Sequence, residues 1–446
     1  MTQKIIISNF FSIREPLEVS FEASKEKQYG EDWVTKIGNT RLLKALILYG
    51  ANGSGKTNIL CALDFLREAI ISIPQKEDEM FPYLRFELDP EYADKESSFD
   101  LYFFIDDVRY RYYLEISPKR IIKEELRVYY NGNNNRAIYT RKYNNEKDVH
   151  SVRFGTWLTL ASKDRKTIED NTKDNISVLS VYASKNISCD ELKIVRNYFK
   201  YEFFKIYFVQ NGDQEVAKAL RDDNRLKLLL VDLIQTFHSN IVDIRVEEET
   251  KTIPEEARQI LLQMKHSEED REAIEKMQTL TKLTSQYIHK TRLGEFSLED
   301  NLQSEGTRSF IRHLVLFYKS IQKKWLVALD EFGSGMQAKT QHLLLDFFLK
   351  FSTHSQLLFA TQSLGFLDYP KMRRDAINIV YKDDIGQTHI DSTTVKGIHK
   401  NIKLRKAYVA GKFTTIDPNE PEIDLDAEYN KYKSLIFADR KEEGTI

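Results

Sequence analysis

The segment LILYGANGSGKTNIL, residues 46–60, constrains the fold of this chain more than any other stretch. It contains Gly50-x-x-x-x-Gly55-Lys56-Thr57, the P-loop pattern, in which glycines permit positive φ and leave no Cβ between the backbone and a phosphate. An apolar run enters this pattern, and an amphipathic helix follows it with its apolar residues on one face, namely Ile59, Leu60, Leu63, Leu66 and Ile70. A strand, a glycine-rich loop and a helix in this order predict an α/β sheet with a phosphate site at its edge.

The same residues predict what the site binds. Successive N–H groups of the loop can point inward around an anion at the positive end of the helix dipole. Lys56 would reach the β- and γ-phosphates of a nucleoside triphosphate, and the Thr57 hydroxyl would ligate Mg²⁺. The sequence therefore predicts a site for ATP and Mg²⁺.

Composition sets outer limits on the remaining 431 residues of function-bearing chain only loosely, since the full 446 residues allow two or three packed units. The 66 basic and 68 acidic residues give a net charge of −2, so no global field draws the protein to nucleic acid or membranes, although local patches remain possible. Cys61 and Cys189 fit no metal or disulfide pattern. No apolar run approaches the ~18 residues that span a bilayer. We expect a soluble cytoplasmic protein without a membrane partner.

Changes in hydrophobic period divide the chain into four predicted parts: residues 1–75, the first half of an ATPase head; 76–165, an antiparallel β subdomain; 166–300, a helical arm; and 301–446, the second half of the head. SFDLYFFIDDVRYRYYLEI and LRVYYNGNNNRAIYTRKY alternate as hairpins. Residues 254–287 are highly charged with a broken apolar stripe, which predicts a solvated helical arm or hairpin. After residue 300, strands alternate with helices, which predicts a parallel sheet.

Two later motifs supply candidate partners for the P-loop. WLVALDEFGSG, residues 325–335, is an apolar strand that ends in Asp330 and Glu331. Asp330 is placed to hold Mg²⁺ and Glu331 to orient water onto the γ-phosphate, although a polar strand exit is the plain alternative. In QSEGTRSFI, Ser304, Gly306 and Thr307 form a polar turn at a helix N-terminus, which is either an anion-binding turn or an ordinary N-cap.

In this order, the motifs resemble those of ABC-class ATPase heads, the group that includes the SMC and recombination-repair ATPases. The chain is most similar to stand-alone bacterial anti-phage ATPases of the AbiL and RloA type and to the AriA subunit of PARIS, and more distantly to OLD proteins. The similar stretches are IIISNFFSI, FDLYFFIDDVRYRYYLEI, VLSVYASKNISCDELKIVRNYF, VDLIQTFHSNIVDIRVE and LRKAYVAGKFTTID, together with the Ser-x-Gly-Thr form of the signature. The resemblance implies an ABC-type P-loop ATPase head with an antiparallel β arm and a helical insert.

The resemblance also implies site residues. ATP would be bound by the loop and by the signature turn of a second copy, that is by Gly50, Asn52, Gly53, Ser54, Gly55, Lys56, Thr57 and Asn58 in one chain and by Ser304, Gly306 and Thr307 in the other. Thr57 and Asp330 would hold Mg²⁺, and Glu331 would be the catalytic base beside Lys56. The switch position, usually a histidine, is Gln362, and Gly333 replaces the usual aspartate after the acidic pair. Both departures predict slow or triggered turnover.

The implied function is a homo-oligomeric sensor ATPase that controls a separate toxic effector, a Toprim-type nuclease, in response to a phage-encoded trigger. No nuclease centre is evident in this sequence, and PEIDLDAEYNK, residues 421–431, is interpreted as a solvated acidic tail. The basic stretch at 400–412 is interpreted as a helix packed on the head, with nucleic-acid contact as the alternative. An SMC-like DNA-repair or DNA-clamping ATPase, and an assembly scaffold with a nearly silent ATP site, remain competing functions.

Overall fold

The computed structural model describes residues 1–73, 81, 85–130, 134–203, 205–207, 212–236, 240–263, 274, 279–393 and 403–410. Its strands are, in chain order, β1 (Thr2–Ser8), β2 (Leu17–Ser20), β3 (Val34–Ile37), β4 (Thr40–Leu43), β5 (Ala45–Tyr49), β6 (Ser97–Ile105), β7 (Val108–Ile116), β8 (Ile121–Tyr130), β9 (Asn134–Asn144), β10 (Val149–Phe154), β11 (Lys205–Tyr207), β12 (Ile241–Thr252), β13 (Thr279–Thr291), β14 (Gly294–Glu299), β15 (Leu326–Leu329), β16 (Gln356–Thr361), β17 (Ile377–Lys382) and β18 (Thr388–Ser392). Its helices are α1 (Gly30–Trp33), α2 (Lys56–Ile71), α3 (Ser162–Asn171), α4 (Val178–Ser184), α5 (Asp190–Asn197), α6 (Asp213–Asp222), α7 (Asn224–Gln235), α8 (Glu255–Gln263), α9 (Glu305–Lys323), α10 (Ala338–Phe351), α11 (Leu364–Leu367) and α12 (Leu404–Val409).

The central sheet is the predicted parallel sheet. Its order is β11-β15-β16-β5-β17-β18, parallel from β11 to β17, with β18 antiparallel at the edge. Every residue of β5, β15 and β16 is buried, which explains why these strands are continuous apolar runs in the sequence. Because the carboxyl ends of parallel strands share one edge, the loops that follow these three strands lie side by side.

The second sheet is antiparallel and has the order β10-β9-β8-β7-β6-β1-β2. The predicted hairpins are confirmed, since β6 pairs with β7 from Ile105–Val108 to Ser97–Ile116, and β8 pairs with β9. Phe99, Leu101 and Phe103 are fully buried, as their alternation predicts. β1 joins this sheet by pairing with β6.

Helix α2 connects the two sheets through its apolar face. The Phe65 ring lies 5.4 Å from the ring of Phe99 on β6 and 5.4 Å from that of Phe10, which follows β1. Buried residues of both sheets belong to one continuous hydrophobic cluster. The P-loop helix is thus packed from the antiparallel side by aromatic side chains, whose large buried areas contribute strongly to stability.

The far end of α2 is held by polar contacts. The carbonyl oxygen of Ile70 accepts hydrogen bonds from Ser177 Oγ at 2.8 Å and from Ser180 Oγ at 2.7 Å. Next to them, the Val178 N–H donates to the Glu124 carboxylate at 3.0 Å, and Glu124 is fully buried on β8. These contacts satisfy an end carbonyl of α2 and join it, through α4, to the antiparallel sheet.

The predicted helical segment, residues 166–300, is only partly helical. Helices α3 to α8 confirm part of it, but residues 279–287, predicted as helix, form the first part of β13, which lies between β12 and β14 in a three-stranded antiparallel sheet. Leu283, Ser285 and Tyr287 alternate as buried residues, so the period of this stretch is two rather than 3.6. The abundance of charge in the preceding residues concealed that change of period.

The fold class is the predicted one: an α/β P-loop ATPase head of ABC type with an antiparallel β arm, whose insert carries a small sheet as well as helices. Among the described helices, none is both long enough and apolar enough to cross a lipid bilayer.

Candidate nucleotide-binding site

The P-loop leaves the buried strand β5 and enters α2 through positions that only glycine can occupy. A Cβ at Gly50 would lie 2.2 Å from the carbonyl oxygen of Val380, and one at Gly55 would lie 2.0 Å from Thr388 Oγ1. Gly55 also has φ 102°, in the region that favours glycine. Both glycines therefore let the loop press against β17 and β18, which fixes its path at the sheet edge.

Helix α2 begins with an N-cap that offers no side chain. Gly55 is the cap, and no side chain accepts a hydrogen bond from the first turn, so the N–H groups at this end are available to an anion. The loop fits a polyphosphate for the same reason, because its donors and the helix dipole point to one place.

Lys56 is buried under this loop. Its Nζ donates to the carbonyl oxygens of Gly50 at 2.9 Å and Ala51 at 2.7 Å. Burial lowers the pKa of the Lys56 ammonium, and the carboxylates of Asp330 and Glu331 oppose that shift. The only charge-bearing donor of the loop is thus held by two neutral acceptors that a phosphate can replace.

Thr57 and Asp330 meet at the next point along the sheet edge. The Thr57 hydroxyl donates to Asp330 Oδ2 at 2.7 Å, across 273 residues of sequence. A hydroxyl and a carboxylate at this distance are oxygen ligands of the kind that Mg²⁺ takes in phosphate sites. The two residues predicted to hold the metal are therefore brought together by the fold, and their oxygens fit that group.

Glu331 follows Asp330 with an unusual backbone. Its φ is 53°, and its N–H donates to Asp330 Oδ1 at 3.1 Å. A left-handed conformation costs a residue with a side chain about 1–3 kcal/mol, and such strain is concentrated at functional sites. The turn carries an exposed Glu331 away from the buried strand, on the same edge as Lys56 and Thr57.

Gln362 occupies the corresponding place after β16. Its side chain is exposed, and its carbonyl oxygen accepts a hydrogen bond from the Tyr49 hydroxyl at 2.8 Å. Tyr49 is the last residue of β5, immediately before the P-loop. The structure thus places Gln362 beside the strand that leads to the phosphate loop.

The signature turn forms a separate group. Ser304 caps α9, since its Oγ accepts from the Thr307 N–H at 3.2 Å and lies 2.8 Å from Thr307 Oγ1. Behind the turn, Arg308 and Arg312 bind the Asp213 carboxylate, which ties α9 to α6. Ser304 is exposed, and among the described residues no hydrogen bond joins it or Thr307 to the P-loop.

Gly306 has one neighbour from the acidic loop. A Cβ there would lie 3.2 Å from the carbonyl oxygen of Gly335. The signature turn therefore touches the loop after Asp330 and Glu331 in its own chain, while its hydroxyls remain open to solvent.

Sequence reasoning missed the residues that support the P-loop from behind. Asn58 Nδ2 donates to Ser12 Oγ at 2.6 Å, Ser12 Oγ lies 2.7 Å from Thr388 Oγ1, and Thr388 Oγ1 donates to the Ser54 carbonyl at 3.3 Å. The Asn58 side chain, predicted to bind nucleotide, is thus directed toward this support. Ser12 lies within the IIISNFFSI stretch already noted, but no sequence signal points to Thr388 on β18.

The C-terminal basic stretch agrees with its structural interpretation where it is described. In α12, Leu404 and Ala407 are buried, the Tyr408 ring lies 4.7 Å from the Tyr49 ring, and Arg405 binds Asp368 at 2.7 Å. Residues 400–402, and residues 411–446 with the acidic PEIDLDAEYNK stretch, lie outside the described residues.

Comparison with known proteins places this geometry in context. A family model described as "AAA domain, putative AbiEii toxin, Type IV TA system" matches residues 46–368. No curated protein matches the chain.

Three solved structures are similar at low identity. They are the SMC head domain from Thermotoga maritima, with 12% identity over 88% of this chain and 98% of that one and a TM-score of 0.39; the SmcHead bound to the C-winged helix domain of ScpA, with 12% identity over 92% and 99% and a TM-score of 0.42; and an Smc head domain with an extended coiled coil bound to the C-terminal domain of ScpA derived from Pyrococcus furiosus, with 13% identity over 92% and 98% and a TM-score of 0.38.

Proposed function

Because the chain belongs to the family of AAA domains whose model matches residues 46–368, we propose that it binds ATP with Mg²⁺ and hydrolyses it slowly, as the regulatory ATPase of a bacterial anti-phage system. The observation that carries this proposal is the 2.7 Å hydrogen bond between Thr57 and Asp330. It joins two motifs far apart in sequence at the point where the P-loop and the acidic strand end meet.

Each side chain has a distinct role in this proposal. The first-turn N–H groups of α2 and the Lys56 ammonium bind the phosphates. Thr57 and Asp330 hold Mg²⁺, which when bound neutralises charge on the phosphate oxygens. Glu331 accepts a proton from water and orients it toward the γ-phosphate.

Slow turnover follows from two residue types. Gln362 can hydrogen-bond water or phosphate, but it does not titrate near neutral pH as histidine does. Gly333 provides no carboxylate in the loop after the acidic pair. The site therefore binds ATP with a full set of phosphate contacts and has fewer groups that promote hydrolysis.

The proposal includes a second copy of the chain. Ser304, Gly306 and Thr307 would close over the nucleotide held by a partner P-loop, so that ATP joins two heads. The exposed hydroxyl of Ser304 supports this arrangement, as does the lack of a described hydrogen bond from the turn to the P-loop of its own chain. Hydrolysis would then separate the heads.

The biological role extends the same proposal. The matching family is described by a toxin and a type IV toxin–antitoxin system, and the sequence resembles anti-phage ATPases of the AbiL, RloA and AriA type, with OLD proteins more distant. We infer a switch whose ATP-bound state restrains a separate effector of the Toprim nuclease class until a phage-encoded trigger arrives.

The test begins with purified full-length protein and Mg²⁺-ATP. Asp330→Asn is expected to lower Mg²⁺-dependent phosphate release by roughly 100-fold, because it removes a charged metal ligand. Asp346→Asn is the matched control: this carboxylate, on α10, binds Lys371 at 2.9 Å away from the P-loop and its loss should leave hydrolysis unchanged. Equal rates for Asp330→Asn and wild type would contradict the proposed metal site.

The cellular test uses the gene with its genomic neighbours in a phage challenge. Lys56→Ala and Glu331→Gln are expected to abolish protection while the protein still accumulates. If both variants protect fully, ATP chemistry is irrelevant to defence, and the scaffold alternative replaces this proposal.

A DNA-clamping ATPase remains the second candidate because of one surface. On the antiparallel sheet, the Arg109 guanidinium lies 5.1 Å from the Tyr102 ring and 4.7 Å from the Tyr129 ring, and Lys123 lies 4.8 Å from the Tyr113 ring. Cations interleaved with aromatic rings suit a nucleic-acid backbone and its bases. Hydrolysis that DNA stimulates, and that falls steeply with added salt, would favour this candidate over the effector switch.

A further inference from the structure

Gln341 lies between the two loops that carry Glu331 and Gln362. It is a buried residue in the first turn of α10, only 3% exposed. Its Nε2 donates to the carbonyl oxygens of Gly333 at 2.8 Å and Met336 at 3.0 Å, and its Oε1 accepts from Ser363 Oγ at 2.9 Å. One amide group thus spans from the loop after β15 to the loop after β16.

Two glycines make room for this amide. A Cβ at Gly333 would lie 3.0 Å from Gln341 Cδ and 2.8 Å from the Phe366 ring, and a Cβ at Gly365 would lie 2.6 Å from Gln341 Oε1. Gly333 also has φ 93°. The glycine that replaces the expected aspartate is therefore required by the position of Gln341, which gives this departure a structural reason.

Other bonds join the same two loops. The Phe332 N–H donates to the Ala360 carbonyl oxygen at 3.0 Å, and Thr361 Oγ1 donates to the Phe332 carbonyl oxygen at 2.9 Å. These bonds hold the loops where they leave the sheet, whereas Gln341 holds them farther out, next to Gly335. Since the Gly335 carbonyl oxygen faces Gly306, the outer part of the loop also sets the position of the signature turn.

We propose that Gln341 is a positioning residue that makes the Glu331 loop, the Gln362 loop and the signature turn move as one unit. It acts through these elements and does not touch the nucleotide. The inference rests on the proposed ATPase function, and it extends that function by linking the phosphate end of one site to the turn that would cover the site of a second copy.

The first test separates positioning from binding. Gln341→Leu removes all three hydrogen bonds at similar volume, so kcat for ATP is expected to fall by about 10- to 100-fold, while nucleotide Kd stays within about threefold of wild type. Gln337→Leu is the matched control, because Gln337 is exposed one turn earlier and makes no side-chain cap. A Gln341→Leu protein with wild-type kcat overturns the inference.

A second variant covers the case in which Gln341→Leu does not fold. Ser363→Ala removes only the bond between Ser363 and Gln341 and the local cap to Gly365, and it is expected to lower kcat several-fold with unchanged Kd. Gln341→Glu adds a pH readout: an ionised carboxylate cannot donate to the two carbonyls, whereas a protonated one donates once. The ratio of its rate to the wild-type rate should therefore rise as pH falls from about 8 to about 6, since burial favours the protonated form; a constant ratio would contradict the inference.

Amide hydrogen exchange distinguishes this inference from the proposed function. Without nucleotide, Gln341→Leu is expected to speed exchange in peptides covering 331–337 and 361–367 together, and Gln337→Leu is not. Absence of ATP hydrolysis by wild type would overturn the ATPase proposal but leave this comparison decisive. Unchanged exchange in Gln341→Leu, with or without hydrolysis, would show that the loops are held without Gln341.

Discussion

The P-loop and the signature turn are the two halves of the candidate site, and they differ in how their polar groups are satisfied. Lys56 and Thr57 are turned onto acceptors of their own neighbourhood, the loop carbonyls and Asp330. Ser304 and Thr307 bond to each other and face solvent. One half is assembled within a chain around a place for phosphate and metal, whereas the other is only held in readiness at the end of a helix.

This difference teaches where each function must reside. Binding of the phosphates requires groups that one chain already brings together, because positioned donors gain most when they are preorganised. The signature turn has rigid support through Arg308 and Arg312 but no ligand groups within its own chain. Loss of the first half should therefore abolish binding, and loss of the second should affect only turnover.

Lys56→Ala should have the largest effect, because it breaks the assembled half. Removing the ammonium that faces the phosphates is expected to weaken ATP binding by at least about 100-fold, which isothermal titration would measure. Lys339→Ala, an exposed lysine of α10, is the control and should bind normally. Tight ATP binding by Lys56→Ala would show that the backbone N–H groups suffice.

Glu331→Gln should separate binding from chemistry within the same half. The amide preserves the size of the side chain but removes the base, so kcat is expected to fall by roughly 100-fold with ATP affinity within a few-fold of wild type. Single-turnover phosphate release would measure it, with Glu299→Gln on the exposed strand β14 as control. A Glu331→Gln enzyme that turns over normally would assign the base to another residue.

His313 links the two halves and should make their contact pH-dependent. It lies on α9, 5.0 Å from the ring of Phe332, and burial lowers its pKa to about 4. A group with a depressed folded pKa that is charged when protonated opposes folding in acid: the stability is fully present above about pH 6.5, the unfolded value, and is lost as pH falls toward 4.

The expected loss between pH 7 and pH 5 is about 2 kcal/mol of unfolding free energy, measured by denaturant titration. His313→Phe, which suits the surrounding Phe317 and Phe332 rings, should remove this part of the pH dependence. Identical pH profiles for the variant and wild type would show that His313 is not the group responsible.

The smallest effect is expected from the signature half, and it tests the second copy directly. Ser304→Ala with Thr307→Ala should lower kcat about 10-fold and leave ATP affinity intact, since these hydroxyls do not contact the P-loop of their own chain. Mixing this variant with Lys56→Ala protein supplies each lost half from the other chain. In a two-fold dimer, random mixing should restore up to about a quarter of wild-type activity; no restoration would mean that the halves do not meet between chains.

The sequence was sufficient where chemistry depends on local spacing. The glycines of the P-loop, the acidic pair after a buried strand and the alternating residues of β6 and β7 all lie within short windows, and the structure confirms the elements they predict. Thr57 and Asp330 could also be paired in advance, because parallel strands end at a common edge.

The sequence was insufficient where long-range contacts decide. Thr388 supports the P-loop only because β18 returns beside β17, and Gln341 joins two loops only because β15 and β16 are neighbours. In β13, residues 279–287 were mistaken for helix, since a dense charge pattern outweighed the weak alternation that pairing with β12 stabilises. Such pairings depend on which strands meet, and composition does not encode that locally.

The two serine hydroxyls on Ile70 have a practical consequence. Helix α2 has 16 residues and is therefore about 24 Å long, with the phosphate loop at one end and Ser177 and Ser180 at the other. A stiff rod fastened at its tail transmits axial displacement to the fastening, so a fluorescent probe attached beside α4 would serve as a remote gauge of nucleotide occupancy without obstructing the catalytic surface.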